Sequence, residues 1–331
     1  MMQEAICAVV VSYNRKFLLL KCLNGLLKQT KPLDGICLID NASTDGTPEL
    51  LKANGFLGEL PPKNLVGPYH GDYTVRPVGG KAVRIHYVRM HKNTGGAGGF
   101  YEGVKFAYEK GYDWIWIMDD DVTPEEDCLS ALYEKTYELE RTGLDRSNIA
   151  LSCARFDKEG AFVNDGSKRI NLKNPFKNLH EQKISPDDLK KKFQPIEGAT
   201  FEGLMINRHL VEAVGLPNKE FFIYGDDTEF CLRLLKVTKI YLIPTAKIVR
   251  ERYVKKGENV NNWKRYYILR NMLYIDLKYG NISVKLIRTT RKIVKSILGR
   301  LYHREFAEII TIFKSIRDAF KMLKMCKYNT Y

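Results

Sequence analysis

The chain has no C-x-x-C pair among its seven cysteines and no histidine at ligand spacing from any of them. A zinc knuckle or a disulfide framework is therefore excluded as its organising device. Cys7, Cys22, Cys37, Cys128, Cys153, Cys231 and Cys326 include several inside apolar runs, as free thiols in a reducing cytosol do. No apolar run reaches the roughly 20 residues that span a bilayer, and Met1 to Cys7 runs into a strand instead of a secretory leader. The glycine-rich stretch lacks the Lys-Ser/Thr of a P-loop and the spacing of a Rossmann turn. No recognisable nucleic-acid module accompanies the basic charge, so nucleic acid is not an expected partner.

What is present is apolar bulk and unevenly placed charge. At 331 residues and 44% hydrophobic, the chain can bury a full core as one large domain with an appendage. Of the net +14, the stretch from Asn281 to Tyr331 supplies nine, with twelve Lys and Arg against Glu305, Glu308 and Asp318. This tail has its own physical character.

The beginning of the chain alternates strand and helix. Ala5 to Ser12 and Gly35 to Asp40 are apolar, β-branched runs, and Lys16 to Lys28 between them has helical spacing. The alternation predicts right-handed parallel crossovers and a doubly wound, mainly parallel α/β sheet. Residues 56–81, rich in Pro and Gly, read as a peripheral insertion. A strand from Ala82 to Met90 delivers the chain to His91–Phe100, whose glycines feed a helix from Tyr101 to Lys110. Such a turn lets backbone N–H groups approach a phosphate or a sugar, or it simply packs a strand against a helix.

Trp114 to Met118 reads as a strand buried on both faces, and it ends in Asp119, Asp120 and Asp121. In an open α/β sheet the ligand crevice lies at the carboxyl ends of the strands. Alternation along a strand predicts that Asp119 and Asp121 share one side, able to hold a hard cation, with Asp120 facing elsewhere. An acidic helix cap near Pro124 would account for the same residues. Helix from Glu125 to Arg141 and strand from Ile149 to Ala154 follow, then a polar excursion over residues 155–195. Phe221 to Tyr224 leads into Asp226 and Asp227, a second acid pair opening a helix.

Taken in order, VVSYNR (Val10–Arg15), IDNASTDGT (Ile39–Thr47), NTGGAGGF (Asn93–Phe100), WIMDDD (Trp116–Asp121), FEGLMINR (Phe201–Arg208), FFIYGDDTEFCLR (Phe221–Arg233) and RYYILRN (Arg265–Asn271) resemble the family 2 glycosyltransferases of GT-A type. The double-glycine motif and the DDD triplet look most like the galactofuranosyltransferase branch, with rhamnosyl- and glucosyltransferases as near neighbours. The resemblance implies a GT-A nucleotide-sugar-binding catalytic domain over residues 1–275. It implies that Ser12, Asn14, Arg15, Asp40, Asn93 and Gly96 hold a UDP-sugar and that Asp120 reaches the donor sugar. Asp119 and Asp121 would bind Mg²⁺ or Mn²⁺. Asp227 would be the base of an inverting transfer, with Asp226, Phe222 and Gly203 on the acceptor side. The third metal ligand expected of the family, a His, is missing. Arg250 stands at the likeliest equivalent position and could neutralise the diphosphate instead. The implied acceptor is a lipid-linked or cell-surface glycan. A non-catalytic glycan-assembly protein is the rival from another class.

Residues 276–331 form a basic amphipathic helical extension. Phe306, Ile309, Phe313, Ile316, Phe320 and Leu323 recur as one apolar stripe, and Ile287, Val294, Ile297, Leu298 and Leu301 repeat the design. Two occupants fit: the interface of an anionic membrane, placing the protein peripherally on the cytoplasmic side, or the catalytic domain or a second subunit.

Overall fold

The structure, a computed structural model, describes residues 4–164, 166–251 and 262–328. Residues 1–3 and 329–331, which the sequence reading drew on, lie outside them. The chain runs through β1 (Ile6–Ser12), α1 (Lys16–Leu27), β2 (Gly35–Asp40), α2 (Thr47–Ala53), β3 (Tyr69–Val75), β4 (Val83–Arg89), α3 (Gly95–Glu109), β5 (Trp114–Asp119), β6 (Val122–Pro124), α4 (Cys128–Arg141) and β7 (Ala150–Phe156). Then come β8 (Ser167–Ile170), β9 (His180–Lys183), β10 (Gln194–Ile196), β11 (Gly198–Ala199), β12 (Leu204–Asn207), α5 (Arg208–Val214), α6 (Asp226–Leu234) and β13 (Ile240–Arg250). The helices α7 (Asn262–Tyr279), α8 (Thr289–Tyr302) and α9 (Phe306–Tyr328) complete it.

The main sheet has the order β10-β13-β7-β12-β5-β1-β2-β4-β3. β5, β1, β2 and β4 are mutually parallel, β12 is antiparallel between β5 and β7, and β3 closes the edge antiparallel to β4. The uninterrupted apolar runs follow from burial on both faces. Ile6, Ala8 and Val10 join Trp114, Trp116 and Met118 in one core under α1 and α4, while Cys7, Val9 and Val11 join Ile115 and Ile117 in another under α3. The insertion supplies β3, whose burial alternates as an edge strand's does.

Four expectations change. Helix α3 begins at Gly95, not Tyr101, because side chains at Gly99 and Gly103 would strike Val11 and Val9: the glycines let the helix lie close on β1. Pro124 belongs to β6, which pairs with the end of β13 so that Arg250 stands opposite Val122, and α4 starts only at Cys128. The polar excursion contains β8 and β9, which its weak periodicity concealed and which form a three-stranded sheet with β11 just beyond it.

The fourth concerns the tail stripe, which divides. Ala319 and Met322 are buried, with Ile316 and Leu323 packed beside them, in a core shared with Ala97, Phe221, Leu232 and Tyr274, and Ile312 is buried as well. Phe306, Phe313 and Phe320 face outward at 50–61% exposure. The stripe's residues thus fall on two helix faces, one covered and one open. Asp276, fully buried, pairs with Arg288 at 2.8 Å and Lys292 at 2.5 Å, and Arg288 also donates to the Asn171 carbonyl. The extension is thus stitched to α7 and to the polar excursion. Six cysteines are buried free thiols, and among the described residues no helix is long and apolar enough to cross a membrane.

Candidate active site

A cavity of about 1,110 Å³ opens where the strands β1 and β5 end. It is somewhat larger than the roughly 300–1,000 Å³ of an ordinary small-molecule cleft. A smaller one, about 390 Å³, lies at the opposite edge beside His86, whose ring is taken up by Asp72 and Tyr112.

The first wall is the acidic triplet. β5 stops at Asp119, so strand alternation does not extend to its neighbours, and all three aspartates line the cavity. Asp120 therefore does not face away from the others. Arg15 Nη1 donates at 3.0 Å to Asp120 Oδ1 and at 3.0 Å to Asp121 Oδ2, and Ser12 Oγ donates to Asp120 Oδ2 at 2.7 Å. Burial pushes the Asp120 carboxyl up to about 6, although Arg15 and Ser12 pull against it. Asp119 is pushed well above the carboxylate range by burial and by the charges of Asp121, Glu202 and Asp120. Glu202 is ion-paired with Arg155 and lies 3.8 Å from Arg250. The Glu251 N–H donates to the Asp121 carbonyl at 2.8 Å, fixing the end of β13 beside the acids.

The second wall follows β2. Asp40 is buried and accepts from Tyr87 Oη at 2.8 Å, from the Ser43 N–H at 2.8 Å and from Arg89. It organises the 41–44 turn and does not line the cavity. Asn41 does, donating to the Gly95 carbonyl at 2.8 Å and accepting from the Thr94 N–H at 3.0 Å. Asn93 caps the same turn through the Gly95 N–H, at 2.8 Å.

The third wall carries the second acid pair. Phe222, Tyr224 and Gly225 all have positive φ, at 62°, 65° and 85°, a conformation that non-glycine residues adopt only when surroundings impose it. The imposing groups are on α7. Asn271 Nδ2 lies 2.7–3.0 Å from the carbonyls of Phe221, Ile223 and Tyr224, and Arg270 Nη2 donates to those of Glu220 and Phe221. From the other side, the Ala97 N–H donates to the Phe222 carbonyl at 3.1 Å, an approach that a side chain at Gly95 would block. So held, the loop aims Asp226 and Asp227 into the cavity. Asp226 is pushed up to about 7 by burial and by the charge of Asp227. Asp227 Oδ1 accepts from the Thr228 N–H at 2.5 Å and from its hydroxyl at 3.1 Å, and His180 Nε2 meets that hydroxyl at 3.1 Å.

Of the residues singled out in the sequence, Arg15, Asn93, Gly96, Asp119, Asp120, Asp121, Phe222, Asp226, Asp227 and Arg250 meet in this one cavity. Ser12, Asn14, Asp40 and Gly203 stand behind it. Asn14 accepts from the Thr44 N–H, and Gly203, at φ +97°, packs on Cys153. Sequence reading missed Tyr13, Arg155, Glu202, Trp263 and Tyr267. Tyr13, Glu202 and Tyr267 were inside quoted motifs, and Trp263 was the one tryptophan outside an apolar strand.

Among the described residues, no group of three or more His, Cys, Asp and Glu side chains is placed to hold a metal. The donor chemistry nonetheless fits a hard divalent ion: Asp119 and Asp121 are oxygen donors whose crowding, seen in the raised Asp119, a cation would relieve.

An open, mainly parallel α/β sheet with helices on both faces and acids at its carboxyl edge is a nucleotide-sugar-binding fold of GT-A type. Residues 7–56 and 71–147 match the family model described as Glycosyl transferase family 2, so the chain is similar to that family over its parallel sheet. The galactofuranosyltransferase GlfT1 of Mycolicibacterium smegmatis is 28% identical over 237 residues, 70% of this chain, and the chain spans only 66% of that relative's length. The dTDP-rhamnosyl transferase RfbF of Shigella flexneri is 26% identical over 262 residues, covering 76% of this chain and 83% of RfbF. A mannosyltransferase of Pyrobaculum calidifontis, solved with GDP-Man and Mn²⁺, shares the fold with a TM-score of 0.50 at 15% identity, covering 99% of this chain and 81% of its own.

Proposed function

We propose that the protein is an inverting glycosyltransferase that moves a sugar, galactofuranose in the best-supported case, from UDP to a hydroxyl of a lipid-linked or cell-surface glycan. The observation that carries this reading is the convergence of two acid clusters, Asp119–Asp121 and Asp226–Asp227, on one cavity with cations beside the first. The likeness to a galactofuranosyltransferase supports the donor, and RfbF makes rhamnose on dTDP the second choice.

In the proposed reaction Asp227 accepts the acceptor hydroxyl proton as that oxygen bonds to the anomeric carbon, and the bond from that carbon to the diphosphate oxygen breaks. Attack from the far side inverts the centre. Asp120 contacts the donor sugar. Arg15 and Arg250 stand where the diphosphate's charge would grow. Asp119 and Asp121 would hold Mg²⁺ or Mn²⁺, whose contribution is further counter-charge for the leaving nucleotide. The test is calorimetric titration with UDP in Mn²⁺ and in EDTA, followed by turnover of UDP-galactofuranose against dTDP-rhamnose. Binding of UDP with release of sugar to an acceptor is expected; binding of neither nucleotide would defeat the reading.

We also propose that the extension docks the enzyme on an anionic membrane surface from the cytoplasmic side. Along α8, Val294, Leu298 and Leu301 are 43–58% exposed, and along α9, Phe306, Ile310 and Phe313 are 59–74% exposed. Arg291, Lys295, Arg304, Lys314, Arg317, Lys321 and Lys324 are exposed around them, whereas Glu305, Glu308 and Asp318 are all part-covered. Apolar faces fringed by cations suit anionic lipid, each cation near the surface adding about 1 kcal/mol. Sedimentation with phosphatidylglycerol vesicles but not phosphatidylcholine ones is expected, and loss of it in Leu298→Glu with Phe313→Glu. If those changes instead split a dimer and leave vesicle binding intact, the faces serve a second copy of the chain.

A further inference from the structure

The cavity is wider than a donor requires, and its far rim is aromatic. Phe222 and Tyr267 stack at 4.7 Å with their planes 18° apart. Trp263 stands nearly perpendicular to both, at 6.3 Å and 80° from Phe222 and at 6.1 Å and 82° from Tyr267. The stack is closed on its outer sides: the Gly95 backbone crowds Phe222, and the Arg270 guanidinium lies 4.8 Å from the Tyr267 ring centre. Of the three rings the indole is the most open, 49% exposed and lining the cavity, with Phe222 and Tyr267 part-covered. Exposing half an indole costs apolar burial, and edge-to-face packing against two rings fixes its orientation. A fixed, open aromatic face in the same cavity as Asp227 is suited to the C–H face of a sugar ring.

We infer that Trp263 is the surface on which a ring of the acceptor glycan stacks, with the Phe222–Tyr267 stack holding the indole in place, so that the acceptor hydroxyl is presented to Asp227. This rests on the transferase reading above and adds to it the residue that selects the acceptor. Trp263 belongs to α7, the helix whose Asn271 and Arg270 clamp the Asp226–Asp227 loop. One helix therefore positions both the base and the sugar that it deprotonates.

The test uses the chain's own fluorescence. Trp114 and Trp116 are fully buried, so acrylamide reaches Trp263 alone. The probes are methyl β-galactofuranoside and methyl α-rhamnoside at millimolar concentration, with UDP titrated separately. Saturable shielding of the indole by one glycoside is expected, with the quenchable emission absent in Trp263→Phe. In transfer assays Trp263→Ala should raise the acceptor KM roughly tenfold and leave kcat within about twofold, the loss expected of a binding face and not of a reacting group. UDP affinity and thermal midpoint should stay with the parent. Shielding by neither glycoside overturns the inference, as does shielding by UDP only, which would assign the indole to the nucleotide base. An unchanged acceptor KM in Trp263→Ala overturns it too. Failure of UDP to bind the parent would strike the transferase reading, and the glycoside shielding would still decide the role of Trp263.

Discussion

The two acid clusters sit in one cavity but are held in opposite ways. Asp120 and Asp121 share the Arg15 guanidinium, and the Glu202–Arg155–Arg250 group stands alongside. Among the described residues Asp226 and Asp227 form no ion pair with an arginine or a lysine: Asp227 accepts from Thr228, and the loop beneath them is fastened by amide and guanidinium donors on backbone carbonyls. Carboxylates that gather cations are arranged to receive charge that can be exchanged for another cation or a diphosphate. A buried acid beside a second, part-buried one favours a proton on the buried member, the direction in which burial and the charge of Asp227 push Asp226. On the proposed reading this difference divides the labour: charge would be neutralised at the end of β5 and a proton taken at the start of α6.

The largest effect should come from the second cluster. Asp227→Asn removes the proton acceptor without altering volume, and transfer should fall by about 10³-fold, within the range for a lost general base, while UDP affinity stays within about twofold. Transfer at the parent rate would erase the distinction between the clusters. Asp121→Asn should do the reverse. It is expected to weaken Mn²⁺-dependent UDP binding by roughly 10- to 100-fold, a fall typical of a disturbed metal site, with little change in EDTA. Calorimetry in both media reads the contrast, and an equal fall in both would assign Asp121 to the nucleotide and not to an ion.

A third substitution tests how the second cluster is held. Asn271 is fully buried and its amide meets three carbonyls of a loop in strained conformation. Asn271→Ala removes that donor from the Ile223 and Tyr224 carbonyls, while Phe221 keeps Arg270, a loss of about 2–3 kcal/mol, and lets the loop relax. Denaturant unfolding should show the loss, and transfer should fall with it because Asp227 no longer points at one place. Unchanged stability would mean that the loop holds itself.

What could be read from the sequence follows from how local each constraint is. β1, β2 and β5 were legible because burial on both faces writes an unbroken apolar run, and the acids were legible because they terminate such runs. The start of α3 was not, because the reason for Gly99 and Gly103 lies on another element, at Val9 and Val11. Asp40 looked like a ligand for ribose but is engaged by Tyr87, Arg89 and Ser43, two of them from a strand that only the fold brings near. Trp263 was hidden for the same reason: its significance depends on Phe222 and Tyr267, and periodicity along α7 carries no mark of a neighbour some forty residues away. The tail's apolar stripe was visible, but which half of it turns inward was decided by Tyr274 and Phe221.

The smallest expected effect is the most specific to the contrast. Asp226 titrates near 7 in the folded protein against an ordinary 3.8, so between those values the folded state holds a proton that the unfolded state has released. Stability from this group therefore declines as pH rises through that window, and above it the burial of a charge beside Asp227 weighs in full. Asparagine keeps the shape and cannot ionise. Asp226→Asn should match or fall slightly below the parent at pH 5 and gain on it by about 1–2 kcal/mol by pH 8, measured as the difference between two denaturant unfolding series. Asp120→Asn makes the comparison sharp. The carboxyl it removes is pulled down by Arg15 and Ser12 against its burial, so the pH-dependent gain should be smaller and the loss of Arg15's partner should appear at every pH. Parallel profiles for the two variants would mean that both clusters are governed by burial alone and that the arginine beside the first does not distinguish them.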